Sequence, residues 1–219
     1  MTGTVTVTGW CHRAPPTVGG MAEIALFHSV LGVRPGVHEA AQRLRAAGHE
    51  VLVVDQYEGR VFDDYERAGH HVEEIGFPEL MDRAVRAVEP LRDGFVAAGF
   101  SNGAGMAEHV ATQRTCGGVL LFSGALPLAV LGGVAWPAGT PAQIHYTQDD
   151  PFRRQEWIDA LVADITASGS RVEVFDHPGS GHLFTDPSLP DEHDPLAAAS
   201  LWERAEAFCR DATGGTRGT

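Results

Sequence analysis

Three features are scarce in this 219-residue chain, and each scarcity excludes a class of protein. Its three cysteines (Cys11, Cys116, Cys209) are widely spaced and include no Cys-x-x-Cys pair, which disfavours a disulfide framework and a zinc site. No apolar run approaches the roughly 20 residues that a membrane-spanning helix requires. Basic residues are outnumbered, 16 against 29 acidic ones, so the formal net charge is -13. This balance disfavours nucleic acid and anionic membrane surfaces as partners.

The rest of the composition is that of an ordinary globular protein. Hydrophobic residues make up 43% and charged residues 21% of a chain long enough for one domain with a substantial core. Neither repeats nor a credible linker between domains can be recognised. The odd number of cysteines makes a reducing cytoplasm the expected location, and we expect a monomer or homodimer.

The two ends of the chain differ in character from its centre. Residues 1–20 lack the basic start and the continuous apolar centre of a secretory signal, although residues 4–8 alternate as an edge strand would. Met21 stands directly before a strong strand pattern. The sequence therefore predicts a peripheral extension over 1–20, one domain over 21–212 and a disordered tail over 213–219.

Between these ends, apolar runs alternate with amphipathic segments. Strands are predicted at 23–27, 51–54, 95–98, 119–122, 143–146 and 171–175, and helices near 40–47, 79–91, 102–113, 153–167 and 195–210. Residues 56–76 are polar and irregular, and they remain unassigned. Strands separated by helices predict the α/β class, with a mostly parallel sheet covered on both faces. Ligand sites in such sheets lie beyond the carboxyl ends of the strands.

The pentapeptide Gly99-Phe100-Ser101-Asn102-Gly103 joins a predicted strand to a predicted helix. This is the nucleophile-elbow pattern, in which a tight turn requires neighbours without a Cβ and exposes the serine above the sheet. The N–H groups at the start of the following helix suit a developing oxyanion. Because glycine is common in this chain, an ordinary turn is the competing interpretation of the pentapeptide alone.

A serine nucleophile needs a base, and the base needs a carboxylate to orient it. Asp149 and Asp150 follow the predicted strand 143–146, and His182 follows the strand 171–175 in a glycine-rich loop. All three therefore fall at carboxyl ends of strands, in the order serine, acid, histidine. Asp150 is the favoured acid, with Asp149 as the alternative; either could instead be a turn residue.

An oxyanion site requires two N–H donors. The backbone N–H of Asn102 follows the nucleophile directly, and the second donor is predicted in the loop after the first strand. We favour the N–H of Val30 there, with Ser29 as the neighbouring alternative. The pair His70 and His71 has poor spacing for a metal with Glu73 and Glu74, so no metal site is predicted.

These residues resemble the dienelactone hydrolase family of α/β-hydrolases over residues 21 to about 210. The resemblance rests on the segments 25–32, 52–57, 99–105, 145–152 and 181–184. It implies an α/β-hydrolase fold without a large cap domain, a hydrolytic activity without a cofactor, and Asp150 as the acid, since Pro151 and Phe152 follow it.

The chain departs from the family's prototype enzymes at three positions. Ser101 stands where they have a cysteine nucleophile, Ser29 where they have a glutamate that helps to activate the thiol, and Asp186 where they have an arginine for a substrate carboxylate. Because Asp186 would repel a dicarboxylate-type lactone, we expect a neutral or cationic ester or lactone. The acidic cluster from Asp186 to Asp194 is otherwise interpreted as a solvated loop.

The sequence thus predicts a serine hydrolase that cleaves a small ester or lactone with Ser101, His182 and Asp150. A non-catalytic protein of the same fold that binds a small ligand or partner is the alternative, favoured by a misaligned His182 or an occluded Ser101. A peptidase lacks support, since no propeller or cap segment is recognisable. From their neighbours in sequence, five residues are predicted to line the substrate pocket: Ser29, Phe100, Trp136, Phe152 and Phe184.

Overall fold

The computed structural model describes residues 20–214, which form one six-stranded parallel sheet and six helices. The strands are β1 (Glu23–Phe27), β2 (Glu50–Val54), β3 (Phe95–Phe100), β4 (Cys116–Phe122), β5 (Ala142–Thr147) and β6 (Val172–His177). The helices are α1 (Pro35–Ala46), α2 (Tyr65–Ile75), α3 (Phe77–Ala87), α4 (Asn102–Gln113), α5 (Gln155–Ala167) and α6 (Pro195–Gly214). The strand order is β2-β1-β3-β4-β5-β6, with every neighbouring pair parallel. The predicted α/β class is confirmed.

Successive residues of the central strands supply two separate cores. In β3, Phe95 and Ala97 pack into one core, while Val96, Ala98 and Phe100 pack into the other. This alternation is the period of two that a strand imposes on its side chains. Because both faces of the central strands β1, β3 and β4 are buried, these strands are almost wholly apolar, and their short apolar runs are recognisable in the sequence.

The helices divide between the two faces of the sheet. Apolar residues of α3, α4 and α5 fill one core, and those of α1 and α6 fill the other. Helix α6 packs closely on β4 at Gly118. A Cβ added to this glycine would lie 2.6 Å from the ring of Phe208. The right-handed crossovers that parallel strands require bring all six strand ends to one edge of the sheet.

One helix, α2, was missed by the sequence analysis, which left residues 56–76 unassigned. Its start is marked by Asp64, whose carboxylate accepts a hydrogen bond from the N–H of Arg67 at 2.8 Å, and its end by Gly76 at φ 86°. An acidic N-cap and a glycine C-cap were therefore available as signals. The polar character of the segment concealed them, because only Ala68 and His71 of this helix are buried.

The two predicted ends of the domain lie at the limits of the described residues, and both boundaries stay predictions. Helix α6 extends to Gly214, so the predicted tail over 213–219 begins inside a helix. The predicted extension over 1–20 lies outside the described residues except for residue 20, and it stays a prediction. Within the described part of the chain, none of the helices has both the length and the apolarity needed to cross a membrane.

A buried histidine pair lies between β5 and β6. His145 is fully buried, with its Nδ1 3.2 Å from Nε2 of His177 and its Nε2 3.3 Å from Oε1 of Gln143. Burial lowers the pKa of His145 to about 3, with His177 and Arg204 acting in the same direction. The native state therefore keeps this imidazole neutral at pH values where the unfolded chain binds a proton.

This shift predicts a loss of stability as the pH falls from 7 towards 5. Between these values the unfolded state protonates His145 and the native state does not, so this residue alone lowers the free energy of unfolding by about 2 kcal/mol. His145→Asn should therefore flatten the pH dependence of the unfolding free energy, measured by urea titration at each pH. The exposed His38→Asn is the control and should leave the slope unchanged. An equal slope in wild type and His145→Asn would contradict the assignment.

Candidate active site

Ser101 sits in a strained turn between β3 and α4. Its φ is 52° and its ψ is -114°, a conformation that non-glycine residues rarely adopt. The turn is so tight that a Cβ on Gly99 would overlap the carbonyl of Gly103, and one on Gly103 would overlap the carbonyls of Phe27 and His28. Both glycines are therefore required by close backbone approach, and the elbow packs directly against the end of β1.

The side chains of Ser101, His182 and Asp150 form one hydrogen-bonded chain. Nε2 of His182 lies 2.8 Å from Oγ of Ser101, and its Nδ1 lies 2.8 Å and 3.0 Å from the two carboxylate oxygens of Asp150. Asp150 and His182 are almost fully buried. Asp149, the alternative acid, is exposed. The spacing and order are those of a Ser-His-Asp triad, with Asp150 in the position of the acid.

Asp150 and the imidazole are also held by Phe152. The backbone N–H of Phe152 donates to Oδ1 of Asp150 at 2.8 Å, which fixes the carboxylate in a local turn. The ring of Phe152 lies 4.6 Å from the ring of His182 and 5.3 Å from that of Tyr65. This aromatic contact restricts rotation of the imidazole away from Asp150.

The loop that carries His182 is tied to its neighbours on both sides. The hydroxyl of Ser123 donates to the carbonyl of His182 at 2.6 Å, and the hydroxyl of Thr147 donates to the carbonyl of Gly181 at 2.8 Å. The N–H of Leu183 donates to the carboxylate of Glu192 at 2.6 Å. These hydrogen bonds link the loop to the ends of β4 and β5. They hold His182 in place although the loop is rich in glycine.

Glu192 is a residue whose role the sequence analysis missed. It was placed in a solvated acidic loop, but its carboxylate accepts from Leu183 and also from the hydroxyl of Tyr65 at 2.8 Å. Asp194 of the same segment accepts from the N–H groups of Leu196 and Ala197 at the start of α6. Charge density in the sequence could not distinguish these bonded carboxylates from solvated ones.

The loop after β1, residues 28–32, lies beside the elbow and is rigidly held. Nδ1 of His28 lies 2.6 Å from the carbonyl oxygen of Ser29, and its Nε2 accepts from the N–H of Gln56 at 3.1 Å. Burial lowers the pKa of His28, which keeps Nε2 available as an acceptor. The N–H of Val30 makes no hydrogen bond to another described residue. The loop lies beside the start of α4, where Asn102 is the first residue, because Gly103 packs against the carbonyl of His28.

A cleft of about 380 Å³ opens beside Ser101 and His182. Its walls are mainly apolar and come from α3, the loop after β4, β5 and the start of α5. The lining residues besides Ser101 and His182 are Phe77, Asn102, Ser123, Gly124, Ala125, Leu126, Val130, Tyr146, Phe152, Arg154 and Trp157. The serine is therefore accessible, and no group of three His, Cys, Asp or Glu residues in 20–214 is arranged to hold a metal.

A family model for the dienelactone hydrolase family matches residues 11–212, nearly the whole chain. The chain belongs to the dienelactone hydrolase family. No curated protein sequence matches it significantly.

Solved structures show the same fold. A dienelactone hydrolase-like promiscuous phosphotriesterase from metagenomic libraries superposes with a TM-score of 0.75 at 21% identity, covering 90% of this chain and 88% of that one. Dienelactone hydrolase from Anabaena variabilis gives a TM-score of 0.62 at 18% identity, covering 86% of both chains. Esterase 2 of Thermogutta terrifontis, phosphonylated by cyclosarin, gives 0.59 at 20% identity, covering 87% and 83%. The likeness establishes the α/β-hydrolase fold.

Within this dienelactone hydrolase fold, Asp186 does not face the cleft. It is buried beside Arg34, with 3.6 Å between Nε of Arg34 and Oδ2 of Asp186, and its Oδ1 accepts from the N–H and hydroxyl of Ser188. Arg34 also pairs with Asp63 at 2.6 Å. The repulsion expected from Asp186 is therefore not directed into the cleft: this carboxylate lines a separate small cavity, where it shares Arg34 with Asp63.

The structure supports one of the five pocket predictions. Phe152 lines the cleft. Ser29 and Phe100 line a separate small cavity with Asp186, Trp136 is buried with its Nε1 donating to the carbonyl of Thr140, and Phe184 is buried in the α1/α6 core. The other four do not line the cleft, although Phe100 directly precedes Ser101: its side chain follows the alternation of β3 into the α1/α6 core.

The two adjacent aspartates provide a matched test of the site. Asp150→Asn should lower kcat by about 10³-fold or more, because the amide no longer orients the imidazole as an anionic acceptor does. Asp149→Asn should stay within about twofold of wild type, since that side chain is exposed and makes no hydrogen bond to His182. Both variants are compared by ester-hydrolysis kinetics and by thermal unfolding. Equal losses in folded Asp149→Asn and Asp150→Asn would contradict the assignment.

Proposed function

We propose that this protein is a serine hydrolase that cleaves a small carboxylic ester or lactone through an acyl-enzyme. The observation that supports it is the aligned Ser101–His182–Asp150 chain at an open cleft, with Oγ of Ser101 2.8 Å from Nε2 of His182. Membership of the dienelactone hydrolase family and an esterase among the structural neighbours support the same class of reaction.

In the proposed first half-reaction, Oγ of Ser101 attacks the substrate carbonyl while Nε2 of His182 takes the hydroxyl proton. The Nδ1–H of His182 donates to Asp150 throughout, and this carboxylate stabilises the imidazolium that forms. The N–H groups of Asn102 and Val30 donate to the oxyanion of the tetrahedral intermediate. The intermediate collapses when His182 gives its proton to the leaving oxygen, so the C–O bond breaks and the acyl group stays on Ser101.

The second half-reaction repeats these steps with water. His182 removes a proton from water, the resulting hydroxide adds to the acyl carbonyl, and the proton returns to Oγ of Ser101 as the acid leaves. With a lactone, both products are parts of one hydroxy acid. No step requires a metal or a cofactor.

The cleft favours an apolar acyl or alcohol group. Phe77, Leu126, Val130, Phe152 and Trp157 supply most of its walls. Arg154 adds a guanidinium 4.7 Å from the ring of Trp157, and no carboxylate among the described residues pairs with it. A cationic substrate would meet this charge, so of the neutral and cationic substrates expected from the sequence we propose the neutral class.

Labelling with a fluorophosphonate probe tests the mechanism. Wild type should form a covalent adduct, and Ser101→Ala and His182→Ala should not, because the first lacks the nucleophile and the second lacks its base. Ser200→Ala is the control: it removes a serine hydroxyl on α6, outside the cleft, so the label should remain. An unlabelled but well-folded wild type would refute the serine mechanism and favour a ligand-binding role.

The charge of the substrate is tested with a choline ester and its uncharged 3,3-dimethylbutyl isostere. Wild type should prefer the uncharged ester, and Arg154→Gln should reduce that preference by about threefold, with a smaller effect at high salt. Arg171→Gln, which removes a surface charge paired with Glu173, should leave the preference unchanged. A choline preference in wild type would overturn the neutral assignment.

A further inference from the structure

Glu108 is a fully buried carboxyl group on α4, two turns after the nucleophile. Both of its side-chain oxygens accept from the N–H of Leu126, at 3.0 Å and 3.3 Å. No basic group in residues 20–214 acts on this carboxyl, and burial raises its pKa well above the usual range. Burial of a carboxyl group in an apolar core without a cation costs free energy. Because Leu126 is its hydrogen-bonded partner, the role of Glu108 depends on which part of the structure Leu126 belongs to.

That partner belongs to the wall of the cleft. Residues 124–126, here called the wall segment, all line the cleft beside Ser101. The wall segment lies directly on α4: a Cβ on Gly105 would lie 2.6 Å from Cδ1 of Leu126, and one on Gly124 would lie 2.6 Å from Cβ of Ala104. Its conformation therefore depends on how it is anchored to this helix.

The anchor is a backbone amide that no element of secondary structure satisfies. Leu126 follows β4 and precedes a loop, so its N–H has no ladder or helix partner. Without Glu108 this part-buried donor must find water or another acceptor, and the wall segment must move to reach one. Ala125 and Leu126 line the cleft together with Tyr146, so movement of the wall segment changes the shape of the cleft.

We propose that Glu108 is a positioning residue that sets acyl-group selectivity by holding the wall segment through the N–H of Leu126. It touches neither the substrate nor the triad, and it acts only through the position of Leu126. The proposal rests on the proposed function, in which the cleft receives the acyl or alcohol part of an ester.

Three variants separate this role from a general contribution to the core. Glu108→Gln keeps a carbonyl acceptor of the same reach, Glu108→Leu keeps the volume and removes the acceptor, and Val110→Ala opens a cavity elsewhere on α4. The readouts are kcat and KM for 4-nitrophenyl acetate, butyrate and hexanoate, the rate of fluorophosphonate labelling, and the melting temperature.

Glu108→Leu should change the butyrate-to-hexanoate ratio of kcat/KM by roughly fivefold or more, mainly through KM, since a displaced wall alters apolar contacts. Its labelling rate should stay within about threefold, because the triad is not displaced. Glu108→Gln should restore the wild-type ratio. Val110→Ala should lower the melting temperature and leave the butyrate-to-hexanoate ratio unchanged. Leu126→Ala alters the wall directly and should move the same ratio.

An unchanged ratio in folded Glu108→Leu would overturn the proposal, as would an equal change in Val110→Ala. If Glu108→Leu does not fold, Glu108→Asp replaces it, because its shorter side chain removes the acceptor from reach of Leu126. A wild type that does not react with the fluorophosphonate refutes the proposed function instead, so the two failures are distinguishable.

Discussion

The close approach of β3 and α4 at the elbow is the constraint on which the site depends. Gly99 lies against the carbonyl of Gly103, and Gly103 lies against the end of β1. Only this contact makes the turn tight enough to hold Ser101 at φ 52°, a strain of about 1–3 kcal/mol that the buried strands must offset. The sheet therefore supports the strained backbone conformation of Ser101 and directs its hydroxyl into the cleft.

Once the elbow is fixed, hydrogen bonds at the same edge of the sheet determine the position of His182. Ser123 and Thr147 end neighbouring strands, and their hydroxyls hold the carbonyls of His182 and Gly181. Glu192 holds the next N–H of this loop. A glycine-rich loop is thereby given a defined position by hydrogen bonds rather than by its own backbone preferences. This is the preorganisation that keeps Nε2 of His182 within reach of the serine.

Prediction from the sequence succeeds where a local pattern decides the structure. Buried parallel strands appear as apolar runs, and the residues after them reach one edge, so Ser101, Asp150 and His182 were selected together. It fails where the direction of a side chain decides. Phe100 follows the strand's alternation into the opposite core, whereas Phe77 and Trp157 reach the cleft from helices distant in sequence. Neither the direction of Phe100 nor the contribution of Phe77 and Trp157 to the cleft can be recognised from a short window of residues.

Charge at a single position is misleading for the same reason. The sequence predicts that Asp186 repels a carboxylate substrate, yet this side chain lies outside the cleft beside Arg34, which precedes α1 more than 100 residues earlier. Glu108 shows the opposite case: it is buried without a cation and accepts a hydrogen bond from a backbone amide. In both cases the function of a carboxylate follows from its partner. Among the described residues that line the cleft, the guanidinium of Arg154 is the one fixed charge, and none of the described carboxylates pairs with it.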